Sequence, residues 1–194
     1  MNYGQLKTSI ASWVNHGAAT ASIPDFVTLA EAEIRRDVRV QAMESLVTGV
    51  LAGGAIALPA DYLDARRFVV NGLPCDYITP EEYQDQTFQQ SRENCYTRIG
   101  STLYVINGGV QSYSLIYRAQ FDALAVDADT NWLLTNAPDV YLFGALKHAA
   151  IFLKDAAAAQ GYEGVYQAAK DKTNSADKAG LIQGSMRMRA RVVA

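Results

Sequence analysis

The sequence predicts an α+β fold in which a helical bundle carries an inserted β-hairpin region. Residues 3–40 and 129–178 have apolar side chains at helical spacing, whereas residues 41–118 have short Val-, Leu- and Ile-rich runs bounded by Asn-Gly and Gly-Gly pairs. The chain has 194 residues, of which 49% are hydrophobic and 19% charged, enough for one core and a small second lobe. We expect a single domain over residues 1–180, with two N-terminal helices, the hairpin region and long C-terminal helices. An extended basic tail is expected over residues 181–194.

The first N-terminal helix is predicted from one apolar stripe. Its apolar residues recur at i, i+4, i+7 and i+8, which spans about four turns with the flanking residues. They are Leu6, Ile10, Trp13 and Val14. His16 and Gly17 interrupt the pattern, so the helix is expected to end before them.

The second helix is predicted to start near Ser22, because Ser22 and Asp25 have the Ser-x-x-acid spacing of a helix start and Pro24 suits the first turn. Apolar residues then recur at i+3 and i+4 steps as far as Val38. The outer face carries three charged residues in the order that favours ion pairs along a helix. They are Glu31, Arg35 and Arg39. We interpret them as a solvated face.

Three β-hairpins are predicted in the middle of the chain, each from a turn sequence that follows an apolar run. The turns are Gly53-Gly54, Asn71-Gly72 and Asn107-Gly108. Asn-Gly favours a type I′ turn because both central residues of that turn need positive φ, which Asn tolerates and Gly adopts freely. After the third turn, Tyr113, Leu115 and Tyr117 occupy alternate positions, which is typical of a half-buried strand.

A short helix is predicted between the second and third hairpins. Thr79 is a suitable cap, Pro80 suits the first turn, and Glu81-Glu82 places acidic side chains there. This helix is expected to reach about Gln90.

The C-terminal part is predicted to return to helix between Asp129 and Thr135, with a restart at Pro138. The longest helix is expected from Val140 to Ala159, ended by Gly161. A more polar helix is expected from Tyr162 to Lys178.

The helix predicted over Val140–Ala159 carries two adjacent apolar stripes, so we expect it to be buried on a wide arc. Burial of this kind places a helix either in the core of the fold or in a subunit interface. Together with the first helix, it supplies the candidate interface residues. These are Leu6, Ile10, Trp13, Tyr141, Leu142, Leu146 and Phe152.

No sequence motif indicates an enzyme, a metal site or a cofactor. His16 and His148, the only histidines, are far apart in the chain, so a capping or core role is expected for each. Cys75 and Cys95 do not have the spacing of a zinc site or a redox pair. We therefore predict no catalytic residues, no metal ligands and no cofactor.

One stretch imitates the start of a calcium-binding loop. Asp127, Asp129 and Asn131 have the spacing of its first ligands, but Trp132 stands where that loop requires Gly and Pro138 where it requires Glu. We therefore do not predict a calcium site.

Charge is distributed unevenly along the chain. Residues 1–180 carry a net charge of −6, whereas the tail carries +3 from Arg187, Arg189 and Arg191. The tail alternates apolar and basic residues, so an extended arm docking on an acidic partner surface is expected. No apolar run approaches the ~20 residues of a membrane span, and the first residues lack a signal-peptide pattern, so we expect a soluble protein that stays in the cytoplasm where it is made.

Several stretches, taken in order, resemble those of tailed-bacteriophage head-to-tail adaptor proteins. The resemblance begins with Ile23–Arg39 and Leu58–Arg66 and covers about residues 3–160. The further matching stretches are Thr79-Pro80-Glu81-Glu82, Tyr96–Ile106, Leu115-Ile116-Tyr117, Thr130–Leu134 and Pro138–Leu146. One departure is Ala123-Leu124-Ala125, where the family usually has Pro-Leu-Ser, so the loop before Asp127 is expected to differ.

The resemblance implies a non-catalytic virion protein in the neck, at the head-to-tail interface, which is in the host cytoplasm during assembly. Such adaptors form a homo-oligomeric ring, commonly of twelve copies, between the portal protein and a tail or nozzle protein. Genomic DNA passes through the ring without sequence-specific binding, and no membrane is involved. The hairpins would project toward the tail, with tips at Gly53, Gly54, Asn71, Gly72, Asn107 and Gly108. The tail arginines, Arg187, Arg189 and Arg191, would dock on the portal.

Two other functions are consistent with the residues. A small nucleic-acid-binding module would use the basic tail and the Arg35, Arg36 and Arg39 cluster, and would bind DNA in a salt-sensitive way. A small hydrolase would be built on His148 and nearby carboxylates.

Overall fold

The computed structural model describes residues 1–85, 93–106 and 108–181. Its elements form a mixed α+β chain, which confirms the α+β part of the predicted fold class, while the bundle arrangement stays a prediction. The helices are α1 Tyr3–Val14, α2 Gly17–Thr20, α3 Ile23–Asp37, α4 Pro80–Gln84, α5 Trp132–Asn136, α6 Pro138–Phe152 and α7 Ala156–Leu181. The strands are β1 Glu44–Val50, β2 Ala55–Ala57, β3 Tyr62–Val70, β4 Leu73–Pro74, β5 Asp76–Tyr77, β6 Cys95–Ile99, β7 Thr102–Val105 and β8 Ser112–Ala119.

The chain divides into two compact units. The helical unit combines Met1–Ala42 with the chain from Phe121 onward, and the β unit is Met43–Gln120. The helical unit is therefore made from two segments that flank the β unit in sequence. A single domain over residues 1–180 and an extended tail after it stay predictions.

Both predicted N-terminal helices are confirmed. In α1, the Asn2 side chain accepts a hydrogen bond from the Gln5 backbone N–H while the Gln5 side chain returns one to Asn2, a capping box. In α3, Pro24 lies in the first turn as expected, but the Ser22 side chain makes no capping hydrogen bond. The apolar stripe of α3 is buried from Ile23 to Ile34.

The predicted helix from Val140 to Ala159 is wrong in its extent. Helix α6 ends at Phe152, Lys154 has a left-handed φ of 61°, and a new helix begins at Ala156. The Asp155 carboxylate accepts a hydrogen bond from the Ala158 N–H at 3.0 Å, so Asp155 caps the new helix. Gly161 therefore lies inside α7, which has 26 residues and is the longest described helix.

Helix α6 lies against α1, α3 and α7, which explains its wide buried arc. Gly144 permits the closest approach, because a Cβ at this position would lie 3.1 Å from the Ala30 Cβ and 3.3 Å from the Tyr166 ring. Tyr141, Ala145 and Leu146 are almost completely buried on the same helix. The wide arc predicted for this helix is therefore confirmed, with its burial inside one chain.

The β unit contains two four-stranded sheets that share a main apolar core, with a smaller cluster of Ile78, Cys95 and Ile106 beside the second sheet. The strand order is β1-β8-β3-β4 in one sheet and β2-β7-β6-β5 in the other, with all pairs antiparallel except β5 and β6. The core contains Leu51, Ile56, Phe68, Val70, Leu103, Val105, Leu115, Tyr117 and Ala119. The predicted alternation of β8 is confirmed, since Leu115 and Tyr117 are buried.

Only one of the three predicted hairpins is present as such. Asn71 and Gly72 both have positive φ and join β3 to β4 in a two-residue turn. Gly53 and Gly54 also form a tight turn, but it connects strands of different sheets through a single bridge between Ala52 and Ala55.

The hairpin predicted at Asn107-Gly108 is wrong, because β7 and β8 belong to different sheets. Asn107 lies outside the described residues. The Gly108 backbone packs against Gly54, so glycine serves a close approach here. The turn that sequence reasoning missed joins β6 to β7 at Gly100, whose φ is 61°.

The short helix is confirmed at its start. Thr79 and Glu82 form a capping box around Pro80, as their types suggest. The helix ends at Gln84, and the predicted extension to Gln90 reaches residues 86–92, which lie outside the described part.

We expect Gly54→Ala to destabilise the protein more than Gly72→Ala. Both residues have φ of 79°, so both changes introduce backbone strain of about 1–2 kcal/mol. A Cβ at position 54 would also lie 2.5 Å from the Gly108 carbonyl oxygen, whereas position 72 faces open space. The clash should add about 1–3 kcal/mol, measured by urea unfolding. Equal losses for the two variants would contradict the close approach.

Candidate functional site

The loop before α5 is held to α1 by the residues that imitate a calcium loop. Lys7 Nζ lies 2.6 Å from Asp127 Oδ1. The Asp129 carboxylate accepts hydrogen bonds from the Ala125 and Val126 N–H groups at 2.8 and 2.7 Å, and these hold the pKa of Asp129 below its usual value. Both carboxylates thus have protein partners that fix this loop.

Asn131, the third residue of that stretch, joins α5 to α6. Its side-chain oxygen accepts from the Leu134 N–H, and its amide donates to the Tyr141 hydroxyl at 2.8 Å and to the Asp122 carbonyl at 2.9 Å. Burial raises the pKa of Tyr141 far above its usual value, so its hydroxyl stays protonated. Asn131 therefore both caps α5 and provides a hydrogen-bond partner for the buried Tyr141 hydroxyl.

Glu31 does not lie on a purely solvated face. Its carboxylate accepts a hydrogen bond from the Leu124 N–H at 3.1 Å, and Leu124 is buried. The stretch Ala123-Leu124-Ala125, where the family usually has Pro-Leu-Ser, therefore still contacts α3. Burial is the main reason why the pKa of Glu31 is raised.

Arg39, which lies just after α3, serves the C-terminal end of that helix. Arg39 Nη1 donates to the Arg35 carbonyl at 2.9 Å and to the Val38 carbonyl at 2.7 Å. These bonds satisfy carbonyl groups that a helix C-terminus leaves without intrahelical partners. Arg35 and Arg36 are exposed in the last turn, where cations interact favourably with the helix dipole.

A buried lysine connects three helices, and sequence reasoning missed it. Lys147 of α6 pairs with Glu33 of α3, and its ammonium lies 2.8 Å from Glu163 Oε2 of α7. It also lies over the Tyr166 ring, 4.2 Å from the centroid. Its side chain is 7% exposed. The sequence signal was a lone cation within the apolar arc of α6.

The electrostatics of this cluster favour a charged lysine. Burial alone would lower the pKa of Lys147, but hydrogen bonds to Glu163 and Glu33 outweigh it and raise the pKa above its usual value. A hydrogen bond from Gln167, followed by the one from Lys147, lowers the pKa of Glu163. The groups thus form an ion-paired network at neutral pH.

His148 lies at the side of this network. Its Nε2 is 3.2 Å from Glu33 Oε1, although the atom makes no hydrogen bond of acceptable geometry. Burial lowers the pKa of His148, so the imidazole is neutral at neutral pH. The carboxylate nearest to it is already paired with Lys147. His16 is exposed in the turn before α2 and makes no side-chain cap.

The candidate interface residues divide by exposure. Leu6, Ile10, Tyr141 and Leu146 are at most 1% exposed and pack inside their own chain. Trp13 is 53% and Phe152 49% exposed, and Leu142 is partly exposed. Only these three could contribute substantially to a contact with another molecule.

Trp13 belongs to an aromatic cluster on the surface of the helical unit. Its ring lies edge-on to Phe143 and Tyr162, at 5.6 and 6.4 Å between centroids. A cavity of about 150 Å³ adjoins Trp13 and Tyr162 and is lined at its base by Leu146 and Ala150.

The candidate hairpin tips differ in accessibility. Asn71 and Gly72 are exposed, and so is Gly53, whereas Gly54 is buried and Gly108 is partly buried against it. The tail residues Arg187, Arg189 and Arg191 lie outside the described residues, as does Asn107.

The described residues form neither a cluster of metal ligands nor a membrane-spanning helix. Within residues 1–85, 93–106 and 108–181, no group of three or more His, Cys, Asp and Glu side chains is placed to hold a metal ion. None of the described helices has both the length and the apolar composition needed to cross a membrane.

Comparison with protein families gives a match over nearly the whole chain. The family model described as SU10 adaptor protein matches residues 1–191. The chain belongs to the SU10 adaptor family. This confirms the resemblance to phage head-to-tail adaptors, a structural class and not a class of enzymes. A search of curated proteins found no match.

We expect Lys147→Met to destabilise this adaptor by about 3–5 kcal/mol, because it leaves Glu33 partly buried without its cation. The matched control is Lys172→Met on exposed α7 surface, with an expected change within about 0.5 kcal/mol. Urea unfolding at pH 7 measures both. A loss at Lys147 no larger than at Lys172 would show that the network contributes no stability.

Proposed function

We propose that this adaptor forms a homo-oligomeric ring, commonly of twelve copies, in the virion neck between the portal protein and a tail or nozzle protein. The family match over residues 1–191 carries this proposal. Genomic DNA would pass through the ring without sequence-specific binding.

Exposed apolar side chains support assembly with other subunits. Trp13, Ile151 and Phe152 of the helical unit are each about half exposed or more. Large aromatic residues at a surface are typical of protein interfaces, where their burial contributes strongly to affinity. The helical unit would therefore form the ring wall.

The β unit offers surfaces suited to the tail side. The Asn71-Gly72 turn is exposed and Leu73 beside it is 52% exposed. Tyr77 is 58% exposed on β5, the next strand along the chain, which belongs to the other sheet. These residues would contact the tail protein, while Arg187, Arg189 and Arg191 would dock on the portal.

The net charge is consistent with a conduit for DNA. At −3 overall, the chain has no excess of cations to hold phosphate groups. Arg39, a member of the alternative DNA-binding cluster, already donates to the backbone carbonyls of Arg35 and Val38 at the end of α3. Both facts favour passage of DNA over binding.

The assembly test measures mass by light scattering for the adaptor alone and mixed with portal rings of the same phage. We expect a closed oligomer alone or on mixing, and loss of portal binding in the triple variant Arg187→Gln, Arg189→Gln and Arg191→Gln. A matched variant, Arg35→Gln with Arg36→Gln, should bind portal normally. A monomer that ignores the portal would refute the proposal.

The DNA test separates the two functions. The adaptor should show no measurable affinity for a short DNA duplex at physiological salt, because few phosphate contacts are available. Tight binding that weakens steeply with salt, and that the tail variant abolishes, would instead favour the nucleic-acid-binding module.

A further inference from the structure

The two ends of α6 present different surfaces. At its C-terminal end, residues 151–155 connect α6 to α7, and we call this segment the α6–α7 corner. Ile151 is 61% and Phe152 49% exposed there. Phe152 packs on Phe26 at 5.5 Å between ring centroids, so the corner has a fixed apolar base.

At the other end of α6 lies a groove of about 400 Å³, which we call the Trp132 groove. Small side chains form much of its lining. The lining residues are Trp132, Asn136, Ala137, Asp139, Ala169, Lys172, Thr173 and Ala176. Trp132 is 40% exposed and is held parallel to Phe121, at 6.1 Å between centroids, so it offers a flat apolar wall.

The charges at the two surfaces are complementary. The corner carries Lys154 next to Asp155, and the groove carries Asp139 and Lys172. Within the described part of the chain, neither lysine forms an ion pair. Seating the corner in the groove would allow Lys154 to approach Asp139 while Asp155 approaches Lys172.

We propose that the α6–α7 corner of one copy inserts into the Trp132 groove of a second copy. The inference rests on the proposed function, because it identifies the subunit contact of the ring. The two surfaces differ and lie at opposite ends of a helix of 15 residues, about 22 Å long. A contact between different surfaces is heterologous, the kind that builds closed rings.

The same geometry explains the choice of occupant. A second copy brings exposed apolar side chains, Ile151 and Phe152, together with one basic and one acidic side chain that can pair with Asp139 and Lys172 of the groove. In this contact, Ile151 and Phe152 of the corner would pack against Trp132 and become buried from solvent. Each copy would donate one corner and receive one, so no copy is left with an open groove once the ring closes.

The test is disulfide trapping between differently tagged full-length copies. One copy carries Ile151→Cys and the other Ala176→Cys at the groove. The control partner carries Leu29→Cys, a 50% exposed position on α3 of the same unit. Burial raises the pKa of the native Cys75 thiol to about 11, and Cys95 is buried, so both react slowly at neutral pH.

We expect the corner–groove pair to give several-fold more mixed disulfide dimer than the control pair under mild oxidation. Equal yields would overturn the inference. If Ala176→Cys became linked only to added portal subunits, the portal would be the occupant and the inference would also fail.

A charge-reversal series tests the pairing without touching the apolar contact. Lys154→Glu in the copy that carries Ile151→Cys should lower the trapping yield several-fold, and adding Asp139→Lys to the copy that carries Ala176→Cys should restore it. Circular dichroism checks that both variants stay folded. No loss, or a loss without rescue, would count against the arrangement.

The inference and the proposed function can fail separately. Portal-dependent rings without corner–groove trapping would overturn the contact and keep the adaptor function. Trapping in a protein that ignores the portal would keep the contact and refute the portal function.

Discussion

The packing of the helical unit depends on one charged residue, Lys147, which is buried between apolar faces of its helices. Helix α6 lies against helices on several sides, and Lys147 can be buried there only because Glu33 and Glu163 approach it from two of them. Rotation of any of the three helices by one residue would turn a charged group away by 100°. The ion pairs therefore fix the relative rotation of α3, α6 and α7, which apolar contacts alone specify less strictly. This in turn decides which side chains of α6 and α7 reach the surface.

Local signals in the sequence predicted most of the helices. Pro24 and Pro138 mark helix starts, and Thr79 with Glu82 forms the capping box that their spacing suggests. The break at Lys154 was missed because apolar periodicity continues across it, and the deciding interaction is the short-range cap by Asp155. Gly161 was misread as a stop, since glycine within a well-packed or long helix is tolerated at a modest cost.

Long-range pairing could not be read from the sequence in the same way. Asn107-Gly108 has good turn chemistry, but strand partners are chosen by burial of both sheets around one core, and β7 and β8 join different sheets. The interface residues show a related limit. An apolar stripe indicates burial without saying by what, and Leu6, Ile10, Tyr141 and Leu146 are buried by their own chain. The Lys147 network could not be predicted because Lys147 and its partner Glu33 are more than a hundred residues apart in the sequence.

The order of the two units along the chain has a consequence for biosynthesis. The β unit is continuous from Met43 to Gln120, whereas α1 and α3 must wait for α6 and α7 to bury their apolar faces. On the ribosome, the β unit can therefore fold while the first helices still lack their partners. The apolar faces of those waiting helices stay exposed until α6 and α7 are synthesised, so completion of the C-terminal half is the step that closes the helical unit.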